Sequence, residues 1–276
     1  MIELNKIYCE DNIDVLKEIP DNFVDVIYID PPFSTGRIFK TTNDELAYED
    51  KYTLQELLDI LESRIIEIHR VLKESGTFYI HGDYRFIPYV RVMCDKIFGI
   101  NNFRREIIWN YGLGNARGKS DLLEKHDTIL KYSKTNNYNF NLIRGDVTPQ
   151  MKAKYCHEDE DGKYMMSYGK KYYLKGGKPL EDVWNDVPTI SATSSERTGY
   201  PTQKPTALLD RILKLSLPYD KETNTYSGIV ADFFAGSGTT LKVAKDLGVN
   251  YIGCDSSELA VEYINNRLKN VDISIK

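Results

Sequence analysis

The chain has 276 residues, of which 41% are hydrophobic and 28% are charged, and this composition is typical of globular proteins and excludes wholesale disorder. A net charge of −5 excludes a uniformly basic nucleic-acid coat protein but leaves room for a local basic patch. No apolar run approaches a membrane span, and residues 1–12 lack the pattern of a signal peptide. The four cysteines, Cys9, Cys94, Cys156 and Cys254, lack zinc spacing, so we expect reduced thiols, no metal and a cytoplasmic protein without membrane contact.

Short apolar segments alternate with helical patterns along most of the chain. The clearest helix, at 53–72, has apolar residues at a period of 3.6, and the strand at 24–30 is almost wholly apolar, as buried parallel strands are. Strands are predicted at 6–9, 24–30, 76–81, 106–110, 127–132, 229–232 and 251–255, and helices at 11–19, 53–72, 85–98, 206–215, 238–248 and 259–269. This alternation predicts an α/β fold with a mostly parallel central sheet flanked by helices.

Two regions depart from this alternation. Residues 34–50 are polar and are predicted to form a loop. Residues 135–200 are rich in tyrosine and in loop-forming residues. We therefore interpret 135–199 as an insertion into one domain that is formed by 1–134 and 200–276.

A glycine-rich loop follows the predicted strand near the C-terminal end, in the segment IVADFFAGSGTT at 229–240. Glycines let a backbone approach a ligand closely, and Asp255 ends the next strand, where an acid accepts hydrogen bonds from ribose hydroxyls. Leu241 stands where a dinucleotide fingerprint has its third glycine, which disfavours a nicotinamide-dependent oxidoreductase. The loop alone is also typical of an ordinary tight turn. Asp232 and Asp255 together favour a nucleoside cofactor without pyrophosphate, for which S-adenosylmethionine is the obvious candidate.

The tetrapeptide Asp30-Pro31-Pro32-Phe33 directly follows the strand at 24–30. The two prolines remove backbone donors, so the Asp30 carboxylate and the Pro31 carbonyl leave an acceptor-rich turn beside an aromatic ring. Two acceptors on the hydrogens of a planar exocyclic amine would free its lone pair for attack on a sulfonium methyl, while Phe33 stacks on the base. In duplex DNA such a base must first leave the stack. The alternative, a proline-terminated strand without function, is disfavoured by the glycine loop.

In this order the motifs resemble those of S-adenosylmethionine-dependent amino methyltransferases of DNA, of the permuted β-class. In that class D-P-P-[YF] comes first, the target-recognition region is central, and an F-x-G-x-G loop comes last. The resemblance covers nearly the whole chain except about 140–185. It implies a Rossmann-like methyltransferase fold and a target-recognition region at 135–199. The chain departs from the class at Phe233, where proline is common, and in lacking a second acid near Asp255.

The resemblance also implies a set of site residues. Asp11 matches a position near the adenine of the cofactor, and the segment 200–205, with Lys204, matches one that closes on the methionine end. The predicted catalytic residues are Asp30, Pro31, Pro32 and Phe33. The predicted cofactor residues are Asp11, Asp30, Lys204, Asp232, Phe233, Phe234, Gly236, Ser237, Gly238, Thr239 and Asp255.

The resemblance points to adenine N6 as the methylated atom, since cytosine-N4 enzymes more often have serine in the first position of the tetrapeptide. Methylation of cytosine N4 is the nearest alternative, and RNA is a more distant substrate. A non-enzymatic DNA-binding module is an alternative of another class, and it predicts no cofactor binding. The implied partner is double-stranded DNA. A cognate restriction endonuclease and a homodimer are further partners that the sequence leaves open.

Charge is distributed unevenly along the chain. Residues 1–30 hold eight acids and two lysines, whereas 104–119 hold four basic residues and one acid, and 163–178 hold five lysines, no acid and four tyrosines. Positive charge interleaved with aromatic rings is typical of phosphate contact and base stacking, although a solvated hairpin has the same pattern. The predicted DNA-contacting residues are Arg104, Arg105, Arg117, Lys119, Lys170, Lys171 and Lys175.

Overall fold

The computed structural model of the protein describes residues 2–112, 122–269 and 272–275. The chain forms two compact units, one comprising the residues up to Phe140 and from Asp182 onwards, and the other Asn141–Glu181. In the described residues no helix is long and apolar enough to span a bilayer.

In the described residues the strands are Lys6–Cys9 (β1), Val24–Ile29 (β2), Ile38–Lys40 (β3), Leu46–Glu49 (β4), Leu72–Gly82 (β5), Phe103–Asn110 (β6), His126–Ser133 (β7), His157–Asp159 (β8), Gly162–Ser167 (β9), Lys170–Tyr173 (β10), Val183–Trp184 (β11), Tyr219–Asp220 (β12), Thr225–Tyr226 (β13), Ile229–Asp232 (β14), Asn250–Cys254 (β15) and Asp272–Ile275 (β16). The main sheet belongs to the first unit and contains nine of these strands, in the order β11-β6-β7-β5-β2-β14-β15-β1-β16. The α-helices are Asn12–Glu18 (α1), Leu54–Val71 (α2), Ile87–Phe98 (α3), Pro149–Lys154 (α4), Thr206–Ser216 (α5), Thr239–Asp246 (α6) and Glu258–Leu268 (α7). These bounds confirm the predicted α/β fold.

The sheet is parallel except around β7, which pairs antiparallel with β5 on one side and with β6 on the other. The carboxyl ends of β2, β5, β14 and β15 therefore meet at one edge, which is where open α/β sheets bind ligands. Because β7 runs in the opposite direction, its amino end lies at the same edge, with Thr128 beside Gly82 of β5.

The core explains why the sequence forms these elements. β2 is buried at all six positions, as expected of a strand covered on both faces. α2 begins with a capping box between Thr53 and Glu56 and buries the apolar stripe that predicted it. A Cβ at Gly253 of β15 would lie 2.3 Å from Leu241 of α6, so glycine allows close packing of helix on sheet.

Residues 34–50, predicted as a loop, contain the antiparallel hairpin of β3 and β4. Its strands have three and four residues and are largely exposed, so they give little periodic signal. The rings of Phe39 and Tyr48 stack across the hairpin at 4.7 Å between centroids, which stabilises the pair. The hairpin ends at Asp50, which is 1% exposed.

The second unit, Asn141–Glu181, contains α4 and the three-stranded antiparallel sheet β8–β10. It is narrower than the predicted insertion 135–199, because residues on both flanks pack within the first unit. Arg104 lies over the ring of Tyr138 at 4.4 Å, and the indole of Trp109 donates a hydrogen bond to the Val187 carbonyl at 2.7 Å.

Candidate active site

The segments that follow β2, β14 and β15 line one cavity of about 340 Å³ at the carboxyl edge of the sheet. The cavity brings together the predicted catalytic turn and the predicted glycine loop. Of the predicted site residues, those that line it are Asp11, Asp30, Pro31, Pro32, Phe33, Lys204, Asp232, Phe234, Gly236, Ser237, Thr239 and Asp255. Phe233 is buried in the core instead, and Gly238 forms the N-cap of α6.

The glycine loop has the backbone conformation that its sequence requires. Gly236 has φ +49° and Gly238 has φ +74°, the left-handed region that favours glycine. A Cβ at Gly238 would lie 2.9 Å from the side chain of Ile264 on α7. The loop can therefore run close to α7 and still begin α6 at Thr239, with its backbone facing the cavity.

Two acids hold this loop in place. Asp232 accepts hydrogen bonds from the Thr240 hydroxyl at 2.6 Å and from the Phe234 amide at 3.0 Å. Asp255 accepts from the amides of Gly236 at 2.8 Å and Ser257 at 2.9 Å. Each carboxylate oxygen has a second lone pair, so Asp255 can still accept a hydroxyl from a ligand.

Burial raises the pKa of both acids. The pKa of Asp232 is raised to about 7, by burial above all and also by the carboxylates of Asp30 and Asp255, against the lowering effect of its hydrogen bonds to Thr240 and Phe234. Burial also raises the pKa of Asp255, against the effect of its two amide donors. Three carboxylates thus share one poorly solvated edge of the cavity, and this edge favours ligand groups that donate hydrogen bonds.

The predicted catalytic turn, Asp30–Phe33, presents one carboxylate oxygen that has no partner among the described residues. The ammonium group of Lys204 donates to Asp30 Oδ2 and lies 5.7 Å from the centroid of the Phe33 ring. Asp30 Oδ1 is buried and accepts no hydrogen bond from any described residue. An unsatisfied buried carboxylate oxygen is costly, so its position at the cavity points to a donor supplied by a ligand.

Asp50, which the sequence reasoning missed, fixes the segment after the catalytic turn. Its carboxylate accepts from the amides of Phe33 at 3.3 Å, Ser34 at 3.0 Å and Thr35 at 2.8 Å, and from the Thr35 hydroxyl at 2.7 Å. An acid in a polar segment has the sequence pattern of a solvated loop residue, so no local signal identified this one.

A buried hydrogen-bonded chain lies beneath Phe33. The Tyr28 hydroxyl and His81 Nδ1 are 2.7 Å apart, and His81 Nε2 is 3.1 Å from a carboxylate oxygen of Asp127. The Phe33 ring stacks on His81 at 6.1 Å and on Phe86 at 5.9 Å between centroids. Burial raises the pKa of Tyr28 well above its ordinary value, and the nearby carboxylates raise it further, so the phenol stays protonated and orients the imidazole.

The opposite wall of the cavity comes from α1 and α2. Arg64 donates to Asp11 and to Asn12, both at 2.8 Å, and Asn12 donates to the Phe233 carbonyl at 2.8 Å. Asp11 also accepts from the Ile13 amide at 3.1 Å and caps α1. Asn12 and Arg64 were not among the predicted site residues. Asn12 departs from the residue that the family often has beside Asp11, and Arg64 lies 52 residues away in the chain and belongs to no motif.

A model of the DNA methylase family matches residues 24–266. The chain belongs to this family. It is 34% identical over 260 residues to the DNA adenine methyltransferase YhdJ of Escherichia coli, a match that covers 94% of this chain and 80% of the relative. It is 32% identical over 266 residues to the Type II methyltransferase M.HpaI of Haemophilus parainfluenzae, covering 95% of this chain and 74% of the relative. The predicted resemblance is thus confirmed at the level of DNA methyltransferases.

Solved structures share the fold. The cytosine-N4-specific PvuII DNA methyltransferase aligns with a TM-score of 0.66 at 15% identity, covering 99% of this chain and 91% of that one. A complex of M1.HpyAVI with S-adenosylmethionine aligns with a TM-score of 0.61 at 21% identity, covering 96% and 99%. At this identity the likeness shows the fold of a methyltransferase and no more.

Arg104 and Arg105 lie near the amino end of β6, at the sheet edge opposite to the cavity. Arg104 donates to the Ser133 hydroxyl at 2.6 Å and to the Thr135 carbonyl at 2.8 Å, and Arg105 lies 3.7 Å from Asp182. These contacts join parts of the first unit to one another. The structure therefore does not bring Arg104 and Arg105 together with the cavity at the carboxyl edge of the sheet.

The other predicted DNA contacts fall in two places. Arg117 and Lys119 lie outside the described residues. Lys170, Lys171 and Lys175 are exposed in the second unit, where Lys171 pairs with Asp159. A cavity of about 510 Å³ within this unit is lined by basic and aromatic side chains, among them Arg144, Tyr155, Lys171, Tyr172, Lys175 and Lys178.

Proposed function

We propose that this member of the DNA methylase family transfers a methyl group from S-adenosylmethionine to N6 of an adenine that has left the stack of double-stranded DNA. The observation that carries the proposal is the unpartnered Asp30 Oδ1, buried beside Phe33 in the cavity that the glycine loop also lines. The sequence similarity to a relative named as a DNA adenine methyltransferase supports adenine as the methylated base.

The residues around the cavity fit S-adenosylmethionine, which supplies an electrophilic methyl group on a sulfonium. Asp255 accepts from the ribose hydroxyls, and Asp11 lies on the wall expected to face the adenine. The backbone between Asp232 and Thr239 passes close to the ligand because glycines replace side chains there. Lys204 provides a cation for the carboxylate of the methionine end.

Asp30 and Phe33 act on the base. Asp30 Oδ1 and the Pro31 carbonyl accept the two hydrogens of the exocyclic amine, which turns its lone pair away from the ring and towards the methyl group. Phe33 stacks on the base, and His81 and Phe86 hold the ring of Phe33 in position. No covalent enzyme intermediate is needed, because the nitrogen would attack the methyl carbon while the carbon–sulfur bond breaks. S-adenosylhomocysteine would leave as a neutral thioether, and the methylated amine would lose one proton to solvent.

The test is direct methylation of DNA that lacks the modification. Genomic DNA from a methylation-deficient host is incubated with the enzyme and S-adenosylmethionine, digested to nucleosides, and analysed by mass spectrometry. N6-methyl-2′-deoxyadenosine supports the proposal, N4-methyl-2′-deoxycytidine favours the nearest alternative, and an unmodified digest contradicts both. Sequencing of the same DNA then gives the recognition site.

For the DNA interface we propose Lys170, Lys171 and Lys175, on a unit whose lysines and tyrosines suit phosphate contact and stacking. The relatives named as Type II methyltransferases support a cognate restriction endonuclease as a functional partner. A homodimer is the oligomeric state that we propose to test, by measuring the molar mass of the protein in solution with and without target DNA.

A further inference from the structure

We infer that Lys204 occupies part of the space of the target base, beside Phe33, until the cofactor draws it away, so that cofactor binding opens the base site. This inference rests on the proposed function. The Lys204 ammonium engages Asp30 and Phe33, the two groups that would receive the base. It holds Asp30 through Oδ2 and leaves Oδ1 open for the amine, but it lies over the ring of Phe33, on which the base would stack. The base and the ammonium therefore compete for the space beside this ring.

Among the described residues the Lys204 ammonium is held by one ion pair, to Asp30, and both side chains are largely buried, so another anion must replace Asp30 for the ammonium to move. The Thr239 hydroxyl donates to the Lys204 backbone carbonyl at 3.0 Å, which fixes the main chain beside the glycine loop. Its ammonium group is hydrogen-bonded to Asp30, at the end of a flexible four-carbon stem. The side chain can therefore turn towards another anion without a change in the backbone.

The cofactor brings such an anion. Two cations, Arg64 and Lys204, are among the described residues that line the cavity. Arg64 is already bound by Asp11, Asn12 and the Ile60 carbonyl at 2.8 to 3.1 Å. The carboxylate at the methionine end would thus compete with Asp30 for the Lys204 ammonium, and the movement of the ammonium would clear the ring of Phe33 for the base.

The first experiment measures access to the base site. In a duplex containing the mapped recognition site, 2-aminopurine replaces a base next to the target adenine, which keeps its 6-amino group, and the fluorescence of the probe rises when the adenine leaves the stack. For the wild-type enzyme we expect a small rise without cofactor and a rise several-fold larger with saturating S-adenosylhomocysteine. Lys204→Gln should give the large rise without any ligand, and Lys204→Arg should restore the dependence. The inference is overturned if the fluorescence with the wild-type enzyme is the same with and without S-adenosylhomocysteine. It is also overturned if the fluorescence with Lys204→Gln still depends on S-adenosylhomocysteine.

The second experiment needs no DNA and stays valid if the proposed reaction fails. Calorimetric titration compares S-adenosylhomocysteine with its analogue that lacks the carboxylate. The wild-type protein should prefer the carboxylate by about ten- to a hundredfold, as for a charge-assisted hydrogen bond, and Lys204→Gln should lose this preference. Lys242→Gln, which removes a lysine paired with Asp246 on the exposed face of α6, should keep it. An unchanged preference in Lys204→Gln contradicts the exchange of partners.

Discussion

The cavity at the sheet edge and the unit Asn141–Glu181 are both rich in charge, yet they hold their charges differently. In the cavity, Asp50 and Asp232 are almost wholly buried, and each accepts several named donors. In the smaller unit, the exposed Lys170 and Lys175 lie on a largely solvated surface. A buried carboxylate must have hydrogen-bond partners, so few sequence patterns can accommodate one, whereas an exposed lysine is compatible with many surfaces. A motif at a strand end therefore predicts a buried acid such as Asp232 far better than it predicts the role of an exposed lysine, whereas Asp50, which belongs to no motif, was not predicted.

Basic segments within the chain show the same contrast. Arg104 and Lys170 have similar sequence surroundings, each in a cluster of basic and aromatic residues. In the structure Arg104 binds Ser133 and Thr135 and lies over Tyr138, so its charge is used inside the first unit. The net charge of a segment therefore does not distinguish an arginine that donates to carbonyl groups within the protein from a residue that contacts phosphate.

The largest expected effect in the cavity comes from Asp30→Asn. Its amide presents a donor where the amine needs an acceptor, so the rate of methyl transfer should fall by about a thousandfold or more. Binding of S-adenosylhomocysteine should change only a few-fold, because the glycine loop and Asp255 remain. The measurement pairs incorporation of labelled methyl groups into DNA with calorimetry. Asp246→Asn on the exposed face of α6 is the control, and substantial turnover by Asp30→Asn would contradict its assigned role.

Asp232 makes stability depend on pH. Its pKa of about 7 in the folded protein exceeds the ordinary value of about 4, so the folded state binds more protons than the unfolded state between these values. Stability should therefore fall as the pH rises from 4 to 7, by about 4 kcal/mol at most from this group. Urea unfolding across this range should show a flatter profile for Asp232→Asn than for the wild-type protein. Equal slopes in the two proteins would refute this account of Asp232.

Asp50→Asn tests how firmly the catalytic turn must be held. The amide has one acceptor oxygen instead of two, so some of the donors on Phe33, Ser34 and Thr35 lose their partner. We expect kcat to fall by about ten- to a hundredfold, with little change in the KM for the cofactor, and stability to fall by about 1 to 3 kcal/mol. Asp44→Asn, at the exposed turn of the same hairpin, is the matched control. A variant that loses stability but keeps kcat would make Asp50 merely structural.

The sequence predicted the fold well because the strands of the sheet are short, apolar and separated by amphipathic helices. It also predicted the two motifs of the cavity, since each is contiguous in the chain and lies at a strand end. It missed groups whose role depends on long-range packing. Arg64 reaches Asn12 across 52 residues, and Asp50 reaches back 15 to 17 residues to the catalytic turn. Such contacts form only when helices and hairpins pack against one another, so they cannot be predicted from local sequence patterns.

The smallest expected effect belongs to the exposed unit. Combined replacement of Lys170, Lys171 and Lys175 by glutamine should reduce the slope of log affinity for DNA against log salt by about 2, rather than by the 2.7 of three full contacts. Lys171 contributes less because it is already paired with Asp159. The control replaces three lysines of the other unit, Lys214, Lys221 and Lys242, and changes the net charge equally. An identical loss of slope in the control would mean that DNA affinity depends only on the total charge of the protein. The three lysines of the smaller unit would then have no special role in DNA binding.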